Sequence, residues 1–176
     1  LQSMNNLAVA YRSEGKFAEA AALQSQTVEI LKHMLGAEHP NTLMSMNNLA
    51  DAYYSQGKIA EAAALEAQTW EIRKRVLGAE HRDTLASMNN LASTYRSQGK
   101  HAESAALHAQ TLEIQKRVLG AEHPDTLWSM NNLAVAYYSQ GKHSEATVLH
   151  TQALEIRKRV LGTRHPDTLT SMTEIG

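Results

Sequence analysis

The chain contains no cysteine, which excludes a disulfide framework and any thiolate metal site. It has no excess charge of either sign, with 17 Lys+Arg against 18 Asp+Glu. That balance removes the long-range pull toward nucleic acid or an anionic membrane, so neither is expected as a partner. No stretch approaches the 18 or so consecutive apolar residues of a membrane span. No basic-then-apolar opening resembles a signal peptide. The lack of thiols fits a reducing compartment, and a cytoplasmic location is the expectation. Aromatics are scarce, at 5% of a chain that is 43% hydrophobic, so the apolar content comes mainly from Ala and Leu. Such composition suggests helices packed closely through small side chains. The chain opens at Leu1 and its last motif stops in mid-pattern, and so reads as a piece of a longer one.

What the sequence does contain is a repeat. SMNNLA begins at Ser3, Ser45, Ser87 and Ser129, with a degraded SMTEIG at Ser171. Gly-Lys recurs at Gly15, Gly57, Gly99 and Gly141, and Leu-Gly at Leu35, Leu77, Leu119 and Leu161. All step by 42 residues, giving units 1–42, 43–84, 85–126 and 127–168 and a stub, 169–176. A fixed period of this size signals a repeat architecture.

Each unit reads as two helices. The first, helix A, is expected from about Asp83 to Gln98 in the third unit. The His-Pro-Asp-Thr opening of the next unit, His123–Thr126, puts Pro where the first N–H has no helical partner and Asp at the positive end of the helix dipole. Met88, Leu91, Ala92 and Tyr95 form one apolar stripe, and Gly99 ends the helix. The second, helix B, is expected from about Lys58 to Leu77, with Ile59, Ala62, Leu65, Thr69, Ile72 and Val76 on its buried face. Glu71/Arg75, Glu113/Arg117 and Glu155/Arg159 stand as i,i+4 pairs. Gly78 closes this helix, whose start lacks a strong capping residue. Nothing alternates like a strand, so the chain is expected to be all-α. A 42-residue helix pair cannot bury its apolar face alone, and stacking of neighbours would make a solenoid.

Met46, Leu49, Ala50 and Tyr53 in helix A, with Ala62 after Gly57-Lys58 in helix B, resemble the tetratricopeptide repeat (TPR). The 42-residue period and the string LGAEHPDTL resemble the longer variant of kinesin light chains. The wording SMNNLA…YxSQGK…LGAEHPDT is similar to the C-terminal repeat arrays of fungal NLR-like, nucleotide-binding signalling proteins. The resemblance implies a single right-handed α-solenoid of four TPR-like helix-turn-helix repeats plus a partial fifth helix. It implies a protein- or peptide-binding module, with partners received in a concave helix A groove. One departure concerns mid-helix B, where the family often carries apolar or aromatic residues. Here stand Gln24, Glu66, His108 and His150, which implies looser or more solvent-facing packing.

Unit-to-unit differences within helix A fall in three sets. They are Gln2, Met44, Ala86, Trp128 and Thr170; Val9, Asp51, Ser93 and Val135; and Arg12, Tyr54, Arg96 and Tyr138. At 100° per residue they span an arc of about 80°, opposite the apolar stripe. The pairs Asn5/Asn6, Asn47/Asn48, Asn89/Asn90 and Asn131/Asn132 border that arc. Asn is a mediocre helix former, so eight in register call for a reason. Amide side chains carry donors and an acceptor, and could hold an extended peptide backbone without reading its sequence. The same pairs could instead bond to the neighbouring repeat and fix its geometry. Trp128, Tyr54 and Tyr138 are candidate anchors, Arg12, Arg96 and Asp51 add charge preference, and Met44 is a further candidate contact on the arc. Tyr11, Tyr53, Tyr95 and Tyr137 belong to the core stripe.

Gly-Lys four times lacks the rest of a phosphate loop and reads as a helix–helix turn. His39, His81, His123 and His165 sit one per repeat before helix A, where a capping or loop-packing role is natural. His101/His108 and His143/His150 have no completing ligands, so no metal site is assigned. No catalytic constellation and no cofactor are expected. The alternative to peptide binding is end-to-end self-association into a scaffold, since Leu1 and Leu169 sit where uncapped faces would be left, or an idealised array with no specific ligand.

Overall fold

The computed structural model describes residues 2–173, with the side chains of Gln2, Ser3, Asn5 and Thr173 outside the description. Among the described residues all regular structure is helical. The helices are α1 (Gln2–Ser13), α2 (Phe17–Leu35), α3 (Pro40–Ser55), α4 (Ile59–Leu77), α5 (Arg82–Ser97), α6 (His101–Val118), α7 (Pro124–Ser139), α8 (His143–Leu161) and α9 (Pro166–Thr173). Odd-numbered helices are the A helices and even-numbered ones the B helices, and the boundaries lie within about two residues of those expected. The packing divides into two compact units, α1–α5 and α6–α9.

In each unit, successive helices pack antiparallel around small side chains. In the first, Ala21, Val28, Leu43, Met46, Leu49 and Ala52 form the core, with Tyr53, Leu65 and Ile72 against it. In the second, Ala105, Leu112, Leu127, Met130, Leu133, Ala136 and Ala153 do the same, with Tyr137 against them. The Ala of each SMNNLA string is wholly buried: Ala8, Ala50, Ala92 and Ala134 are all at 0% exposure. A methyl group there lets two helix backbones approach more closely than a larger residue would.

The joints between helices repeat as faithfully as the core. His39, His81, His123 and His165 lie just before helix A, and the Nδ1 of each accepts a hydrogen bond from the backbone N–H two residues on, at 3.1–3.2 Å. These histidines are therefore helix N-caps. In the same loop, Thr42 and Thr126 hydroxyls donate to the Gly36 and Gly120 carbonyls at 2.8 Å. Gly78 and Gly99, after helices B and A, take φ of +95° and +76°, a region that only glycine enters without strain. The B helices start without a side-chain cap.

Three expectations are corrected. Gln24, Glu66 and His108 are not solvent-facing but buried, at 2%, 5% and 2% exposure, and His150 is half-buried. A polar side chain at mid-helix B is enclosed because the next A helix closes over it. Val76, assigned to the buried face of α4, is exposed, because that face has rotated onto Arg73 by the last turn. Arg75 and Arg159 do not pair with Glu71 and Glu155 but reach back to Glu38 and Glu122 in the preceding loop, at 2.7 and 2.5 Å. The partner one helix pair away lies closer to the end of a long Arg side chain than the one a turn below.

Neighbouring repeats are also tied by the Gln of the SQGK string. The Nε2 of Gln56, Gln98 and Gln140 donates to the carbonyl of the first helix B residue one repeat earlier, Phe17, Ile59 and His101, at 2.6–3.1 Å.

Replacing His123 with Ala removes the acceptor for the Asp125 N–H and is expected to destabilise the chain by about 1 kcal/mol. His123→Asn should restore most of the loss, because Asn is itself a good N-cap. Urea unfolding of both variants is the check, and equal losses would exclude a capping role.

Candidate functional site: the helix A face

The variable arc is exposed, as a binding face requires. In the first unit Met44 is 52% and Tyr54 42% exposed, Asp51 and Arg96 are exposed and Arg12 is half-buried. Successive A helices line up there through side chains. Arg12 of α1 stands 3.8 Å from Asp51 of α3, and the Tyr54 hydroxyl of α3 shares a 2.7 Å hydrogen bond with Ser97 of α5.

In the second unit the same face forms a concave pocket of about 720 Å³. Trp128, Asn131, Asn132 and Val135 line it from α7, Val160 and Leu161 from α8, and Thr170 and Ser171 from α9. Trp128 presents its ring at 52% exposure. The amide nitrogen of Asn132 is buried with no hydrogen-bond partner, a donor without an acceptor. Tyr138 stands outside this pocket, 65% exposed and edge-on to His143 at 4.6 Å between ring centres.

The Asn pairs do not behave as one set. Asn89 is buried at 3% exposure, whereas Asn6 and Asn90 are exposed. Asn47, Asn48, Asn131 and Asn132 are half-buried, and the Asn5 side chain lies outside the described residues. In Asn89/Asn90 the second member faces outward and the first is buried, while Asn47/Asn48 and Asn131/Asn132 are half-buried alike.

Two groups beneath this face escaped the sequence reading. Arg73 and Arg157 are 8% and 7% exposed near the ends of α4 and α8. Arg73 donates to the Ser87 hydroxyl at 2.6 Å and Arg157 to that of Ser171, so each clamps the start of the next A helix. Burial lowers the Arg73 pKa although Asp83 opposes the shift. Comparison of the repeats at this position (Leu31, Arg73, Gln115, Arg157) was the available signal. The other group is Glu66. Burial pushes its carboxyl up to about 7, the Thr94 hydrogen bond opposes the rise, and the Asp51 charge adds to it. Burial also raises Asp51, against the pull of Arg12.

No group of three or more His, Cys, Asp or Glu is placed to hold a metal among the described residues. No described helix is long and apolar enough to cross a membrane.

An enclosed seam of small residues, repeating caps and a lined-up helix A face define a class of protein: the helical repeat array. The family model for the tetratricopeptide repeat matches residues 1–75, 67–117 and 83–159, and the chain belongs to that family. Among solved structures, the chain is similar to the nearly identical TPR-like repeats of a candidate kinesin light chain from Podosopora anserina. Identity is 37%, the match covers 99% of this chain and 83% of that one, and the TM-score is 0.88. A single-substitution form of that protein matches at 37% identity, 99% and 82% coverage and a TM-score of 0.90. BtubC (BKLC) from P. vanneervenii, at 24% identity, 99% and 69% coverage and a TM-score of 0.83, shares the fold. No curated protein matches the chain. The fold is thus an all-α, TPR-like solenoid of the kinesin-light-chain type, and such repeats generally serve protein–protein interaction.

Glu66→Gln should stabilise the chain in a pH-dependent way. The folded state holds the proton up to about pH 7, while the unfolded chain releases it near 4.5. Folding is therefore progressively penalised as pH rises from about 4.5 to 7. The substitution should add about 1–3 kcal/mol at pH 8 and nothing near pH 4. Thermal melts across that range are the check, and a gain independent of pH would refute the assignment.

Proposed function

We propose that the repeats are a peptide-binding module, with an extended partner segment held along the helix A face within a unit. The observation that carries this reading is the pocket between α7, α8 and α9. It sets an exposed indole beside a buried amide donor that lacks an acceptor. A peptide carbonyl would satisfy Asn132, and an apolar side chain would cover Trp128. Aromatic anchors of this kind dominate binding energy where they are desolvated. The variable arc, with Met44, Asp51, Tyr54, Arg12, Arg96 and Tyr138, would select among partners, while outward amides such as Asn6, Asn48 and Asn90 would hold backbone. In its parent the array would be the sensor or adaptor region of a cytoplasmic signalling protein of the fungal NLR-like kind. The SMNNLA…YxSQGK…LGAEHPDT wording supports that part of the reading, and catalysis would lie outside these repeats.

End-to-end self-association is a second reading, favoured by Leu169 and Met172, which remain 49% and 39% exposed on α9. A concentration-dependent mass in sedimentation would support it.

Peptides selected from a random library against the whole chain supply the probe. Trp128→Ala and Asn132→Ala should each weaken the selected peptides by about tenfold or more, with melting temperature nearly unchanged for Trp128→Ala. Undiminished binding by both variants would sink the reading.

A further inference from the structure

Repeat two differs from its siblings in a way that folding does not require. The helix A position that is Val9, Ser93 and Val135 elsewhere is Asp51 here. The mid-helix B position that is Gln24, His108 and His150 elsewhere is Glu66 here. Both carboxylates fall in the same repeat, and they repel each other. Glu66 interacts with Asp51 of α3 and with the Thr94 hydroxyl of α5, so it reaches between these helices from beneath the helix A face. It is 5% exposed, and its Oε2 is buried without a hydrogen-bond partner. A neutral amide of the same shape occupies the equivalent site as Gln24, also buried. A buried, half-satisfied carboxyl beside a second acid is therefore an expense that the repeat does not need.

One cation is already drawn to this place. Arg12 sits 3.8 Å from Asp51, an ion pair too long for a hydrogen bond, with both side chains partly open to solvent. The pair is loose and leaves the Asp51 carboxylate open to another donor.

We propose that Asp51 and Glu66 form a subsite for the cationic side chain of a bound peptide, an Arg or Lys, seated on the helix A face beside Tyr54. The subsite rests on the groove reading above and adds to it the charge of the partner. The ligand's ammonium or guanidinium binds Asp51 directly. Glu66 lies below, and once ionised, as a cation above it favours, it adds a second negative charge that a lone surface Asp lacks. Tyr54, 42% exposed and held by Ser97, gives the apolar stem of such a side chain a surface to lie on.

The test selects phage-displayed random peptides on the whole chain and on two variants, Glu66→Gln and Asp51→Ser. Each variant carries a residue that a sibling repeat already holds at that position, so folding is preserved. Peptides captured by the parent chain should be enriched in Arg and Lys. A synthetic captured peptide should bind about five- to tenfold less tightly to either variant, or when its own Arg is changed to Gln. The double change, in protein and peptide together, should cost little more than one alone. Peptides that depend on Trp128 but show no basic enrichment, or that bind both acid variants unchanged, would overturn the subsite and leave the groove standing. Failure to capture any peptide would overturn both.

Discussion

Everything in this structure depends on how closely an A helix and its neighbours can approach. The Ala of SMNNLA has no exposed surface in any repeat, and its helix B counterparts Ala20, Ala62, Ser104 and Ala146 are at 0–2%. Burying a methyl group contributes only about 0.8 kcal/mol. Its larger effect is geometric, because any bulkier residue would push the backbones apart and spoil the packing of Met46, Leu49 and their equivalents. This is why the chain can be rich in Ala and poor in aromatics and still enclose a core. It also explains why the helix pair, rather than a central mass of large side chains, is the unit that repeats.

Close approach must be reproduced from one repeat to the next, and the joints do that. A His cap fixes where each A helix begins, positive-φ glycines fix where helices end, and Gln56, Gln98 and Gln140 tie a helix end to the helix start one repeat earlier. None of these contacts uses the variable arc. The outward face of helix A carries only exposed ties such as Arg12–Asp51 and Tyr54–Ser97, so substitutions can accumulate there at little expense to stability. A repeat array separates the two tasks in a way that a single-core domain seldom can.

The period of 42, the helix boundaries, the glycine turns and the core stripe were legible because local chemistry dictates them. Pro and Asp open a helix, Gly closes it, and apolar residues at helical spacing must be covered. The histidine caps were legible for the same reason, since their partner is two residues away. What escaped was set by side chains meeting across helices. Arg75 looked paired with Glu71 because sequence shows only what lies on one helix, yet its partner Glu38 is 37 residues earlier. Mid-helix B looked solvent-facing because Gln, Glu and His are usually exposed. Only the position of the following A helix shows that these side chains are enclosed. For the candidate site, sequence comparison between repeats located the exposed arc, but it did not reveal that Trp128 and Asn132 share a pocket or that the Asp51 charge reaches Glu66.

That enclosed position carries the last step of the argument. Four repeats place four polar side chains, Gln24, Glu66, His108 and His150, at a site where an apolar residue would be cheaper to bury. The occupants differ in charge and titration behaviour although the surrounding helices are nearly the same. At the next turn the position is more uniform: Thr27, Thr69 and Thr111 each donate a hydroxyl to the carbonyl four residues back, and Ala153 stands in the fourth repeat. The mid-helix B position lies directly beneath the helix A face, and Glu66 already senses the charge of Asp51 on that face. Within the first unit the helix A arc and this buried position are thus neighbouring layers. On the proposed reading the outer layer would meet a partner, and the inner layer would set the charge that a repeat presents to it.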